Sequence, residues 1–394
     1  MRQWFLMGGA FAAAILTGCG RSNHGQSSAP SFSRLVSFGD SLSDVGTYRL
    51  GDVKAAGGGK YTINSASGPT PQIWTELLGI EFGLPAVCPA QTGLDGTGNN
   101  QLMPPTNNDS CFSYAQGGSR VTNPIGIGNK NSPATTAGVA AIGPLTVPVA
   151  TQIQNHLTKV GGSFTGTEVV FVWAGGNDFF TWFGAVGEAA KTAAAQAVAK
   201  GGDAAAAAAA GAAAAAAELP TAVAEISKAG SELAGYVQDQ IVAKGARYVV
   251  VLGVPDVNSS PFGTTYQDSK DVIAVLVNAF NTKLQAGLTS PNVLYLDLVQ
   301  TTAKEISHPT DYGILDASKT ACGSTSGLLC TEATTTPIAP DSSHFFYADS
   351  VHPTPYGHAL VANFVHQQMY ARGWAQNWLM LFPARFQDGT YLPF

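Results

Sequence analysis

The chain has 394 residues, of which 45% are hydrophobic and only 12% are charged, and its formal net charge is −6. This length and apolar content allow one large hydrophobic core or two smaller ones. The net negative charge argues against nucleic acid as a partner. Sparse charge combined with abundant Gly, Ala, Ser and Thr is typical of exported bacterial proteins.

The first residues have the features of an export signal. Arg2 supplies a positive start, and residues 4–15 form an apolar segment that is too short for a stable membrane span. The next residues, Leu16-Thr17-Gly18-Cys19, resemble the lipobox of bacterial lipoproteins, in which the signal is cleaved before the cysteine and its thiol is lipidated. We predict a lipoprotein signal peptide over 1–18 and a flexible tether over 19–33, which would anchor the protein at the outer membrane or cell surface. An ordinary cleaved signal, giving a periplasmic or secreted protein, is the alternative.

Four further cysteines are present: Cys88, Cys111, Cys322 and Cys330. An even number in an oxidising compartment favours two disulfides, for which three pairings are possible. We expect Cys88 to pair with Cys111 and Cys322 with Cys330, because each pair brackets a loop rich in small polar residues. No C-x-x-C spacing supports a metal site, so we expect none.

The first half of the chain begins with a short apolar run, Leu35 to Phe38, which predicts a buried strand ending at Gly39-Asp40-Ser41-Leu42. Helical spacing of apolar residues predicts a helix over 71–79. The stretch 84–109, rich in Gly, Pro, Asn and Thr, indicates an irregular surface loop held by the first disulfide. A short strand is expected over 111–115.

The second half alternates strand and helix signals. Apolar and β-branched runs predict strands over 168–173, 247–252 and 293–296. Periodic apolar residues predict helices over 149–160, 221–244, 269–287 and 357–372. Strands separated by helices imply right-handed crossovers and a mostly parallel sheet covered on both faces, the α/β class.

An Ala-rich segment spans about 185–217 and predicts a helical hairpin that turns near Gly201-Gly202, because Ala has the highest helix propensity. Its side chains are small and only weakly apolar, which disfavours a membrane span. We interpret it as a variable insertion that acts as a spacer. The aromatic-rich tail, 373–394, carries no structural prediction.

Three motifs lie just after predicted strands or near the C-terminus: Gly39-Asp40-Ser41-Leu42, Gly175-Gly176-Asn177-Asp178 and Asp349-Ser350-Val351-His352-Pro353. Their chemistry suits acyl transfer to a serine. Ser41 would attack an ester carbonyl, His352 would take its proton and return it to the leaving alcohol, and Asp349 would orient the imidazole.

Negative charge on the carbonyl oxygen needs hydrogen-bond donors, and three candidates are available. The Ser41 amide would lie at a helix N-terminus, the Gly118 amide is accessible because glycine has no side chain, and the Asn177 side chain is a neutral donor. Taken singly, each motif also has a purely structural explanation. Ser41 is explained as a helix N-cap, and Asn177-Asp178 as part of a turn.

Together these residues resemble the four sequence blocks of GDSL-type lipases/esterases of the SGNH hydrolase superfamily, with the second block at 113–118. The resemblance implies a flavodoxin-like three-layer α/β/α domain, which we place over 34–394. It also implies cofactor-free ester hydrolysis with Ser41, Asp349 and His352 as the triad and Ser41, Gly118 and Asn177 as the oxyanion hole. We favour Gly118 over Gly117 for the amide.

Two choices within this interpretation are open to alternatives. Asp341-Ser342-Ser343-His344 has the same Asp-to-His spacing as Asp349 to His352, and we favour the latter because Pro353 follows it. For six residues near the motifs, lining the substrate pocket and packing in the hydrophobic core are the two alternative roles: Asp40, Tyr48, Trp173, Phe179, Phe180 and Trp182. The early serine, without a Gly-x-Ser-x-Gly elbow, argues against an α/β-hydrolase.

The sequence therefore predicts an exported serine esterase or lipase that acts through an acyl-enzyme on Ser41, with short acyl, aryl or lipid esters as substrates. An acyltransferase or a polysaccharide deacetylase using the same site is one alternative. A non-catalytic surface lipoprotein that binds a ligand is another. Beyond the ester substrate, only the membrane, reached through a lipid on Cys19, is expected as a partner.

Overall fold

The structure is a computed structural model that describes residues 29–65, 72–97, 102–133, 141–335 and 344–376. The predicted signal peptide over 1–18, the proposed lipidation site Cys19, most of the tether and most of the C-terminal tail lie outside the described residues. So do residues 341–343 of the alternative Asp-to-His motif.

The described residues form eight strands: β1 (Leu35–Gly39), β2 (Gln91–Asp95), β3 (Leu102–Asn107), β4 (Val169–Trp173), β5 (Tyr248–Leu252), β6 (Val293–Leu296), β7 (Asp316–Thr320) and β8 (Phe345–Tyr347). They also form nine α-helices: α1 (Gly51–Ala55), α2 (Trp74–Glu81), α3 (Val149–Lys159), α4 (Gly176–Ala199), α5 (Ala204–Tyr236), α6 (Pro261–Thr265), α7 (Lys270–Gly287), α8 (Leu298–Ser307) and α9 (Pro355–Ala371).

The central sheet is parallel, with the strand order β1-β4-β5-β6. The segment 111–115 lies next to β1 at the edge of the sheet and pairs with β1 through one bridge, between Ser37 and Ser113. The predicted strand over 111–115 is thus reduced to isolated bridges at Ser113, which pairs with Ser37 of β1 on one side and with Pro89 on the other. Counting this segment, the order in space is 2-1-3-4-5, the flavodoxin-like arrangement.

Side chains alternate between the two faces of the sheet and build a core on each. Val170 and Val172 face a layer formed by α3, α4, α5 and α7, whereas Val169, Phe171 and Trp173 face α2 and α9. Both faces are covered, so the continuous apolar sequence of β4 is explained by burial on both sides. The predicted three-layer α/β/α architecture is confirmed.

Helices α4 and α5 form the predicted Ala-rich hairpin, which turns through Gly201 at a positive φ of 85°. The prediction of a separate helix that begins at 221 is wrong, because α5 begins at Ala204 and continues through Pro220. Contacts of Ile226 and Leu233 with the core stabilise the helix there in spite of the backbone hydrogen bond that proline removes. By length and composition alone, Ala204–Val242 meets the requirement for a membrane span, and 11% of its most apolar window is buried.

Strands β2 and β3 form an antiparallel hairpin within the stretch 84–109, where an irregular loop was expected. The prolines at 104 and 105 argue against a strand, but β3 is an exposed edge, where missing N–H donors are tolerated. Both expected disulfides are confirmed, with Cα–Cα separations of 5.1 Å for Cys88–Cys111 and 5.9 Å for Cys322–Cys330.

Candidate active site

The candidate site lies at the carboxyl ends of β1 and β4, where doubly wound sheets bind ligands. These strands approach closely because β1 ends in glycine: a Cβ on Gly39 would lie 2.1 Å from the Trp173 carbonyl oxygen. The next residue, Asp40, accepts a 3.1 Å hydrogen bond from the Leu42 amide and so caps the 3₁₀ turn Ser41–Ser43. Ser41 is thereby held at the sheet edge.

Three predicted residues meet there in one chain of hydrogen bonds. The Oγ of Ser41 lies 2.8 Å from Nε2 of His352, and Nδ1 of the same ring lies 2.8 Å from Oδ2 of Asp349. With Nδ1–H donating to the carboxylate, Nε2 is free to accept the serine proton. This is the geometry that a nucleophilic serine requires.

Asp349 is buried and receives three backbone hydrogen bonds besides the imidazole. They come from the amides of Gly327 at 2.7 Å, Val351 at 3.1 Å and His352 at 2.9 Å. Burial alone would raise the pKa of Asp349, but the His352 charge and these hydrogen bonds lower it to about 2. In return, Asp349 raises the pKa of His352 above 6.5 in spite of burial, which favours protonation of the ring by the serine.

Two more carboxyl groups support the loop after β1. Burial raises the pKa of Asp40 to about 7, in spite of its hydrogen bond from Leu42 and the nearby His352. Asp44 accepts from the amides of Thr47 at 2.8 Å and Gly117 at 2.9 Å, and burial still raises its pKa to about 6. Asp44 therefore ties the serine loop to the glycine pair at 117–118.

The structure distinguishes the two glycines. The amide of Gly117 donates to Asp44, whereas Gly118 lines the cavity in front of Ser41 and its amide donates to no other described residue. At Gly118, φ is +81°, and a Cβ would lie 1.9 Å from the carbonyl oxygen of Ile127. Only glycine fits that position, and its amide is available to an oxyanion.

Asn177 is fixed at the start of α4 and also lines the cavity. Its Nδ2 donates at 3.0 Å to the Ser119 carbonyl, which uses one of its two hydrogens and leaves the other for a ligand. Next to it, Asp178 accepts from Arg120 Nε and from the Val121 amide, both at 2.9 Å. These bonds hold α4 against the segment that follows Gly118.

In front of the serine lies a cavity of about 470 Å³ with mostly apolar walls. Of the residues considered for it, Asp40, Trp173 and Phe180 line the cavity; Tyr48, Phe179 and Trp182 do not. Tyr48 and Phe179 are fully buried in the core, and the Tyr48 hydroxyl donates to the Gly117 carbonyl at 2.8 Å. No group of three metal-binding side chains occurs among the residues that the structure describes.

Several residues that support the site are not marked by any sequence motif. The Tyr61 ring lies 4.9 Å from the His352 ring, centroid to centroid, and lines the cavity. Gln152 exchanges two hydrogen bonds with the backbone of Gly39, at 2.9 and 2.8 Å. His344 of the alternative motif packs on Tyr356 and is not among the cavity-lining residues.

Comparison with known proteins places this site in a family context. Residues 35–365 match the family of GDSL-like lipases/acylhydrolases. A GDSL esterase/lipase of Arabidopsis thaliana is 30% identical over 36% of this chain and 43% of its own length. The esterase EstA of Pseudomonas aeruginosa is 33% identical over 32% of this chain and 20% of its own length.

Among solved structures, an extracellular lipase from Streptomyces rimosus is 16% identical, covers 84% of this chain and 99% of its own, and has a TM-score of 0.38. The chain spans half or less of the length of the curated relatives that it matches. The family match itself extends from β1 to the last helix and includes all the site motifs. The chain therefore belongs to the GDSL-like lipase/acylhydrolase family.

Proposed function

We propose that this protein is a serine esterase that cleaves carboxylic esters through an acyl-enzyme on Ser41. The observation that carries the proposal is the continuous hydrogen-bonded chain from Ser41 through His352 to Asp349. It faces a cavity lined by Gly118, whose amide donates to no other described residue, and by Asn177, which has one amide hydrogen left for a ligand. Family membership supports the same chemistry.

The reaction would run in two halves. His352 Nε2 takes the proton as Ser41 Oγ bonds to the ester carbonyl carbon, and the oxyanion receives hydrogen bonds from the Ser41 and Gly118 amides and the Asn177 side chain. The carbon–oxygen bond to the alcohol then breaks as His352 returns the proton to it. Water, deprotonated by the same ring, then attacks the acyl carbon. The bond from that carbon to Ser41 Oγ breaks, His352 returns the proton to Oγ, and the acid is released.

The size and polarity of the cavity indicate the substrates. A volume of about 470 Å³ lies at the lower end of the range for small-molecule sites, and apolar walls such as Trp173, Phe180 and Leu328 suit an acyl chain or an aryl group. We infer that esters with short acyl chains or aryl alcohols are preferred.

The test is hydrolysis of nitrophenyl esters of increasing acyl length by the wild type and by Ser41→Ala. We expect the shorter esters to react fastest and the variant to lose several orders of magnitude in rate. A fluorophosphonate probe should label the wild type at Ser41 and leave the variant unlabelled. Equal rates for the two proteins would end the proposal and favour a surface protein that only binds its ligand.

We further propose export and a lipid anchor on Cys19. Both disulfides support an oxidising compartment. Growth with radiolabelled palmitate should label the wild type, whereas Cys19→Ser should be unlabelled and recovered in the soluble fraction. Labelling of that variant would contradict the anchor without affecting the esterase proposal.

A further inference from the structure

Helix α8 supplies one wall of the cavity, and that wall is polar. Its cavity-lining residues are Leu298, Thr301, Thr302 and Glu305, spaced i, i+3, i+4 and i+7 along a single helix face. None of them belongs to the triad or the oxyanion hole, so the face is available for another part of a substrate.

Glu305 is the unusual member of this face. It is only 5% exposed, and its carboxyl group has no hydrogen bond or ion pair with any residue that the structure describes. It lies in the last turn of α8, where the helix dipole disfavours negative charge. Burial raises the pKa of Glu305 to about 7. A buried, unpaired carboxyl is costly to the fold, and the missing partner would enter through the cavity.

The charge around the cavity indicates what that partner is. Three carboxylic acids line it, Asp40, Asp256 and Glu305, and no lysine or arginine does so in the described part of the chain. The carboxylate of Asp256 already has hydrogen-bond partners, because it accepts from Asn258 and Ser259. Aromatic rings of Phe346 and Tyr347 lie in the same lining and are compatible with a cation.

We propose that Glu305 is a specificity-determining residue that receives a positively charged group, of the ammonium class, carried by the ester substrate. The proposal rests on the esterase function, because it assigns a substrate class to the same cavity. A cation would supply the charge-assisted partner that the buried carboxyl lacks. A substrate carrying an anion there would be rejected by like charge.

The experiment compares matched esters that differ only in charge. On the acyl side the pair is nitrophenyl ε-aminohexanoate and nitrophenyl heptanoate; on the alcohol side it is butyrylthiocholine and its neutral dimethylbutyl isostere. For the wild type we expect a kcat/KM about tenfold to a hundredfold higher for the cationic member of at least one pair. In Glu305→Gln this ratio should fall close to one.

The control variant is Asp311→Asn, which removes one negative charge from the exposed turn after α8 and should keep the wild-type ratio. Fluorophosphonate labelling of Ser41 checks that each variant is folded, and Glu305→Met replaces the Gln variant if labelling fails. A ratio near one for the wild type in both pairs, or a ratio unchanged in the Glu305 variants, would overturn the inference. Hydrolysis of the neutral esters in that case would leave the esterase proposal intact.

Discussion

The amide of Gly327 donates a 2.7 Å hydrogen bond to Oδ2 of Asp349, the oxygen that also lies 2.8 Å from the His352 ring. Gly327 belongs to the loop closed by the Cys322–Cys330 disulfide, and its neighbours at 326 and 328 line the cavity. The disulfide is thus connected to the triad through a single backbone bond. It helps to hold the carboxylate in place and shapes the cavity wall.

We therefore expect the double variant Cys322→Ser/Cys330→Ser to lose about tenfold in kcat/KM for nitrophenyl esters, the value of roughly one hydrogen bond to a charged group. The matched control is Cys88→Ser/Cys111→Ser, because the described residues of the loop that this disulfide closes make no hydrogen bond to Ser41, His352 or Asp349. Initial rates below the melting temperature of each variant separate activity from stability. An equal loss in the two double variants would show that the effect is general and not transmitted through Gly327.

The pKa of His352 should set the acidic limb of the pH profile. The ring must be neutral to act as a base, and Asp349 raises its pKa above 6.5 in spite of burial. The kcat/KM should therefore fall as the pH drops through a value above 6.5. In Asp349→Asn the negative charge is gone, burial lowers the pKa, and the limb should move to lower pH while the rate falls by about three to four orders of magnitude. If the acidic limb lies at the same pH in Asp349→Asn as in the wild type, the coupling between Asp349 and the pKa of His352 is refuted.

Gly118 offers a steric test of the oxyanion hole. A Cβ there would lie 1.9 Å from the Ile127 carbonyl oxygen at a φ of +81°, so Gly118→Ala must displace the amide from the cavity. We expect kcat to fall about a hundredfold or more. Gly187→Ala is the control, because a Cβ meets nothing within 4 Å there and alanine should stabilise α4 by about 0.5–1 kcal/mol. Normal turnover by Gly118→Ala would remove this amide from the mechanism.

The strands of the central sheet were predictable from sequence, because parallel strands buried on both faces must be continuous apolar runs. The predictions for β4, β5 and β6 agree with the structure to within a residue at each end. The β2–β3 hairpin was not predictable, because prolines in β3 are tolerated only through its exposure. Local pattern alone does not show that this segment forms an exposed edge strand, where prolines are tolerated.

The residues of the candidate site likewise fall into two groups, those that the sequence indicates and those that it does not. Ser41, Asn177 and His352 follow strand ends or lie in short motifs, so residue type and order indicate their meeting. Tyr61 and Gly327 reach the triad through contacts between segments that are remote in sequence, and no periodicity marks them. Glu305 has the spacing of an ordinary amphipathic helix residue, and only its burial without a partner in the described structure distinguishes it.

That burial makes Glu305 a measurable cost to stability. Its pKa rises from 4.5 when unfolded to about 7 in the folded protein, so its ionisation opposes folding. The penalty is absent below pH 4.5, grows between pH 4.5 and 7, and above pH 7 reaches about 3 kcal/mol in the free energy of unfolding. Glu305→Gln should therefore unfold at higher denaturant concentration than the wild type at pH 8 and at a similar concentration at pH 4.5.

Urea unfolding at the two pH values, followed by circular dichroism, measures this difference directly. Asp311→Asn is again the control, because its exposed carboxylate should give the same small effect at both pH values. A stability difference for Glu305→Gln that does not change with pH would mean that the carboxyl is ionised without penalty in the folded state. It would then already have a partner, and the cavity would have no unpaired acid to offer a cationic substrate.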